Sequence, residues 1–188
     1  MLSTLRLAAL STLVAGALVA PATENYDVDK THSSIHFRVK HLGVGYVYGR
    51  FNDFSGKFVV DADPAKCSVE LAIKTESVDT NDKNRDEHLK SPDFFNAKQF
   101  PTISFKSKKV AIQGDKFEVS GDVTIKGVTK PSTISLLRIG SGTDPMGSFR
   151  MGFEGDAVVK RSEFGVDFMP DGIGDEVMLR IAIEGIRK

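Results

Sequence analysis

The chain has one cysteine, no tryptophan, seven prolines and no excess charge of either sign in 188 residues. A lone cysteine, Cys67, excludes an internal disulfide, so the fold must stand on its core. Lys plus Arg number 25 and Asp plus Glu number 25, and that balance argues against a nucleic-acid surface, which needs a basic excess. Seventeen glycines and seven prolines are too few for a collagen-like or low-complexity chain. The sequence has no G-x-S-x-G elbow, no glycine-rich loop feeding a helix, no H-E-x-x-H and no C-x-x-C. It therefore lacks the common marks of α/β-hydrolases, phosphate cradles and simple metal or redox sites.

What is present is a core-forming composition: 40% apolar residues, with 13 phenylalanines, in a length that suits one domain. Residues 1–22 read as a cleaved signal peptide. Arg6 supplies the charge of the n-region, Leu7 to Ala20 form an uncharged apolar stretch, and Ala20-Pro21-Ala22 offers an A-x-A cleavage site. The apolar stretch is too short for a membrane helix, which needs roughly 20 residues, and charges interrupt every later apolar run. The expected mature protein is periplasmic, starts at Thr23, has no stable membrane span, and forms one domain over 23–188.

Period-two alternation dominates that domain. Ile35, Phe37 and Val39 share one face of a strand, as do Val69, Leu71 and Ile73, then Phe117, Val119, Gly121 and Val123. Phe149, Met151, Phe153, Ala157 and Val159 follow, and Val177, Leu179, Ile181 and Ile183 close the chain. Gly127 to Pro131 and Gly140-Ser141-Gly142 read as turns. Many strands with short connections favour an all-β sandwich or antiparallel barrel, and glycines within strands suit the bends of a barrel. The segment Asp79–Pro92 breaks the rhythm and predicts a short helix from Asn81 to Lys90. Phe94 and Phe95, just after it, read as a lid edge or as a seal on the core.

Candidate chemistry is sparse. His32 and His36 are placed on one side of a strand starting at His32, with His41 opposite and His88 on the helix, a spacing that does not specify a metal site. Arg85 and His88 read either as headgroup contacts or as part of a network fixing the helix to the sheet. Arg161 reads as paired with a carboxylate at a barrel end or as solvated, and Cys67 as a buried thiol. A hollow barrel lined by Phe, Val, Ile, Leu and Met favours an apolar chain over a sugar or nucleotide.

An ordered series of short motifs carries a resemblance. It begins with Asp29-x-x-His32-Ser33-x-Ile35-x-Phe37, His41-Leu42-Gly43 and Gly49-x-Phe51-x-x-Phe54-x-Gly56. Ser77-Val78-x-Thr80, Arg85-Asp86-x-His88-Leu89 and Ser91-x-Asp93-Phe94-Phe95 follow. Phe100-Pro101-x-Ile103-x-Phe105-x-Ser107, Gly121-x-x-Thr124-Ile125-x-Gly127-Val128-Thr129-Lys130-Pro131 and Arg161-Ser162-x-Phe164-Gly165 complete it. The series resembles the YceI-like family from Tyr26 to Ile183. The resemblance implies an extended lipocalin-like, eight-stranded antiparallel barrel that binds polyisoprenoids, isoprenoid quinones or other long amphiphiles. It implies no catalytic residue, metal or cofactor.

The expectation is thus a non-enzymatic periplasmic carrier of a long-chain isoprenoid-type amphiphile. Its lining candidates are Phe37, Val39, Phe51, Val69, Leu71, Phe105, Phe117, Val123, Phe149, Met151, Phe153 and Leu179. Phe94 and Phe95 stand at the mouth or contact the tail, with Arg85 and His88 as headgroup neighbours; the alternative for His32, Arg85 and Arg161 is that they make barrel-end hydrogen bonds. Two rivals remain: a lipid- or quinone-modifying enzyme with His32, His41 or His88 as base, and a solid barrel acting as a protein-interaction module. The sequence leaves a homodimer open.

Overall fold

The computed structural model describes residues 23–188, and the expected signal segment 1–22 lies outside the described residues. The described residues hold eleven strands and one α-helix. They are β1 (Glu24–Val28), β2 (Ser34–His41), β3 (Gly45–Phe51), β4 (Phe54–Val60), β5 (Ser68–Lys74) and β6 (Val78–Asp79). After α1 (Lys83–Lys90) come β7 (Thr102–Gln113), β8 (Lys116–Ile125), β9 (Val128–Thr143), β10 (Phe149–Lys160) and β11 (Ile173–Arg187).

Every pairing is antiparallel, and eight strands close a ring in the order β1-β4-β5-β7-β8-β9-β10-β11 before returning to β1. The closure is short: only Tyr26, Asp27 and Val28 pair with Arg187, Ile186 and Gly185. On its way to that seam, β11 pairs from Ile173 to Ala182 with β2 instead. The strands β2, β3 and β6 therefore splay from the ring as a wedge. Barrel width grows with strand number, so the wedge widens one end of the barrel and leaves the other narrow.

The alternation places the core. On β8, Phe117, Val119, Gly121 and Val123 are all buried, and the residues between them are more exposed. Phe58, Phe117 and Phe153 meet edge to face at the narrow end, where Tyr26 stacks on Phe58 at 4.7 Å. Gly185 is required there, because a Cβ would lie 2.4 Å from the Phe58 ring.

Two sequence expectations, on β9 and on His32, are corrected. The segments Gly127–Pro131 and Gly140–Gly142 are not both turns: β9 runs unbroken from Val128 to Thr143, and only Lys126-Gly127 turns. Counting from the closing pair Ile125–Val128, Pro131 and Asp122 form a non-hydrogen-bonded pair. The N–H that proline lacks would point away from β8, on the side where β10 has already stopped pairing at Ser135. The helix, Lys83–Lys90, supplies the two turns expected between Asn81 and Lys90; Asn81 takes a left-handed φ of 62°, and Asp82 caps the helix by accepting from the Arg85 N–H at 2.9 Å. His32 precedes β2, and its Nδ1 lies 2.7 Å from Asp29 Oδ2.

Arg150 braces the seam. Its Nη1 donates to Asp29 Oδ2 at 2.7 Å and to Glu184 Oε1 at 2.6 Å, and its Nε donates to Asp144 Oδ2 at 2.6 Å. One guanidinium thus ties β10 to the β1–β2 loop, to β11 and to the β9–β10 turn. Asp29, His32 and Glu184 bring three potential metal-ligand atoms within 4.8 Å of one another, but Arg150 already supplies the positive charge there. His32 and Arg150 hold the Asp29 carboxyl well below the usual range, and Arg150 with the Ser148 N–H lowers that of Asp144. The unfolded chain therefore takes up protons first on acidification. The stability these groups add is present above the ordinary carboxylate pKa and drains as pH falls below about 4. Arg150→Met should lower Tm at pH 7 by roughly 4–8 °C, through the loss of charged hydrogen bonds. The deficit should shrink at pH 3 in melts followed by circular dichroism; an equal deficit at both pH values would refute this role.

Candidate functional site

The barrel interior is not filled. An outer chamber of about 140 Å³ occupies the wide end, and an inner chamber of about 40 Å³ occupies the narrow end. The wedge explains the difference. Ile35, Phe37 and Val39 of β2 line the outer chamber, whereas Val28 of β1 takes the corresponding wall of the inner one. Gly49 on β3 lets Phe37 lie close, because a Cβ there would come within 2.3 Å of the ring. Apart from Ser68, Ser104, Ser132, Arg161 and the Cys67 thiol, the residues lining the two chambers are apolar.

Two segments roof the outer chamber. The first is α1 with the loop after it, which contributes Leu89, Phe94 and Phe95. The second is the β10–β11 connection, which contributes Phe164 and Val166. Ser91 caps the helix and Pro92 cannot continue it, so the chain turns and drives Phe94 inward to 6% exposure. The Phe168 ring lies 5.3 Å from Phe94 and 5.1 Å from His88. Lys126 joins the two segments: its Nζ donates to Pro92 O at 2.9 Å and to Gly165 O at 2.7 Å. It does so from the β8–β9 turn with a left-handed φ of 49°, a conformation that asparagine or glycine adopts more readily than lysine.

Of the sequence candidates, Phe37, Val39, Leu71, Phe94, Phe95, Phe105, Val123 and Leu179 line the outer chamber. Val69, Phe117 and Phe153 line the inner one, which also shares Leu71 and Phe105. Five candidates lie elsewhere. Phe51 ends β3 and packs between Phe37 and Phe95. Met151 and Phe149 share a strand face with Phe153 but lie beyond the inner chamber, with the Arg187 guanidinium 4.3 Å above the Phe149 ring. Arg85 is spent on the helix base: Nε donates to Thr80 Oγ1 and Nη2 to Thr80 O, both at 2.7 Å. Asp86 completes that network by accepting from the Thr80 N–H and hydroxyl. His88 sits outside the roof, with Nε2 2.9 Å from Asp93 Oδ2, and no histidine lines either chamber.

Arg161 is neither solvated nor paired with a carboxylate. It is 7% exposed and donates to four backbone carbonyls, those of Val166, Phe168, Ile173 and Gly174, at 2.7–3.0 Å. Burial lowers its pKa, opposed by the charges of Asp175 and Asp167. The guanidinium thereby shapes the β10–β11 connection that carries Phe164 and Val166. Cys67 is half-buried at the narrow end, where burial raises its pKa.

A closed antiparallel barrel with an apolar interior and a roofed wide end defines a small-molecule-binding class of β-barrel. The chain belongs to the YceI-like family, whose domain model matches residues 26–185. A UPF0312 protein of Pseudomonas aeruginosa (strain LESB58) is 46% identical over 167 residues, covering 87% of each chain. The crystal structure of Burkholderia cenocepacia BcnA matches with a TM-score of 0.76 at 28% identity, covering 84% of this chain and 98% of that one. A Saccharophagus degradans domain described as polyisoprenoid binding shares the fold with a TM-score of 0.65 at 14% identity, covering 87% of this chain and 98% of that one. Among the described residues, no helix is long and apolar enough to cross a membrane.

Replacing Lys126 by Met keeps the aliphatic stem and removes both hydrogen bonds across the roof. Amide exchange at Phe94 and Ala97 should then accelerate by about tenfold, the effect of losing roughly 1.4 kcal/mol of local stability. Exchange at Val119, deep in β8, should not change. Identical roof exchange in both proteins would show that Lys126 fastens nothing.

Proposed function

We propose that this protein binds a long-chain isoprenoid-type amphiphile, a polyprenoid or an isoprenoid quinone, and carries or buffers it in the periplasm. One observation carries the reading: an apolar hollow inside the barrel, lying under a pair of roof segments instead of being packed solid. The description of the S. degradans domain agrees with it. The mechanism is partition. Each buried CH₂ contributes about 0.8 kcal/mol, so a hydrocarbon tail is held without polar contacts while the headgroup stays at the wide end.

The outer chamber is close to the ~150 Å³ of a cavity that accepts one benzene ring. A long tail therefore requires Phe37, Phe94 and Phe95 to swing and the roof to part. Periplasmic delivery rests on the charge, apolar stretch and A-x-A pattern of residues 1–22. N-terminal sequencing of the exported protein should begin at Thr23.

Native mass spectrometry of the protein from its own cells, and after addition of polyprenols and quinones, tests the reading. A hydrophobic adduct is expected, and a protein that stays free of adducts in both conditions would contradict it. Ala157→Phe places a ring in the outer chamber, which Ala157 lines. The variant should keep its Tm within a few degrees and lose most uptake, whereas full uptake by the folded variant would place binding elsewhere.

A further inference from the structure

The two chambers share four lining residues: Leu71 on β5, Phe105 on β7, Ile134 on β9 and Ile181 on β11. These side chains form one layer across the barrel. Leu71 and Phe105 are directly paired, and all four are buried. The layer lies where the wall changes. Ile181 pairs with Ile35 on β2, Ala182 with Ser34 ends that ladder, and from Gly185 onward the partner is β1. The waist thus marks the level at which the β2–β3 wedge leaves the barrel and the ring narrows to eight strands. On β10 the residue opposite Ile181 is Gly155, where a Cβ would lie 2.1 Å from the Ser135 carbonyl oxygen, so β9 itself presses against that side of the layer.

We infer that the Leu71–Phe105–Ile134–Ile181 layer is a chain-length selector: tails that end in the outer chamber bind without disturbing it, and longer tails must displace it to reach the inner chamber. This rests on the proposed lipid-binding reading and assigns its specificity to a definite place. Two consequences follow from the geometry. Affinity should climb with each added isoprene unit until the outer chamber is full and then level off, because further units must open the waist as they gain apolar contact. Widening or blocking the layer should move that break in opposite directions. Phe105 is the largest of the four and the natural site for widening. Ile134 lies across from Val119 on β8 and lines both chambers, so a ring at that position would thicken the layer.

The test is competitive displacement of a fluorescent fatty acid from the full mature chain by geraniol, farnesol and solanesol. It compares the wild type with Phe105→Leu and Ile134→Phe, each checked by thermal melts. For the wild type, a clear break in affinity against chain length is expected. Phe105→Leu should shift the solanesol-to-farnesol preference about tenfold toward solanesol, and Ile134→Phe about tenfold toward farnesol. An unbroken rise of wild-type affinity through all three lengths would overturn the selector, whatever the variants do. So would folded variants whose length profiles overlay the wild type. A wild type that binds none of the alcohols would remove the lipid-binding reading, and the selector with it. Binding with an unchanged profile would remove the selector alone.

Discussion

Two strands compete for one edge of β11, and they cannot occupy the same stretch of it. β1 takes the last three residues and β2 takes the stretch before them. From that division come the narrow end, the widening wedge, the unequal chambers and the layer between them. The closing ladder is short, so side chains reinforce it: the Arg150 guanidinium outside, and inside the Phe58 ring, which stacks on Tyr26 of β1 and lies close over Gly185 of β11. A barrel near eight strands lies at the boundary between a solid core and a hollow one. The division of β11 carries this barrel further past that boundary at the wide end than at the narrow one.

The wide end must be closed by something other than sheet, and backbone there leaves carbonyls that need donors. Two long cations meet that need in different ways. Arg161 is buried and fixes the shape of one roof segment through four carbonyls. Lys126 lies at the edge and joins the two segments with single bonds. The first arrangement is costly to disturb and the second is cheap, which suits the proposed parting of the roof over a fixed frame. Between them, Phe94 and Phe168 close the gap with apolar surface.

Much of this was legible in the sequence. The inward faces of β8, β10 and β11 follow from simple alternation, as do lining residues such as Phe105, Phe117, Val123, Phe153 and Leu179. Strand β9 was hidden, because Pro131 and Gly140-Ser141-Gly142 look like turns, and with it Ile134 of the waist. Proline is tolerated there only because its missing N–H faces a side with no partner strand, a matter of register that one sequence does not display. Phe149 and Met151 obey the same alternation as Phe153 yet lie past the inner chamber, since periodicity gives the face but not the depth. Arg161 makes the barrel-end hydrogen bonds that its motif allows, but its partners are backbone carbonyls, which carry no residue-type signature and so are not named by the sequence. The i, i+3 spacing of Arg85 and His88 suggests a shared face, but the structure separates them: Arg85 bonds Thr80 at the helix base and His88 meets Asp93 outside the roof. Phe164 and Val166 lie outside any strand, so no period pointed to them.

The central claim is that an apolar tail lies inside the barrel. The most direct measurement is intermolecular NOE spectroscopy, with methyl-labelled protein and an unlabelled polyprenol. The account predicts NOEs from the tail to the methyls of Leu71, Leu179 and Ile181, all of which line the outer chamber. NOEs confined to exposed methyls such as those of Val44 and Ile139, with none from the interior, would contradict it.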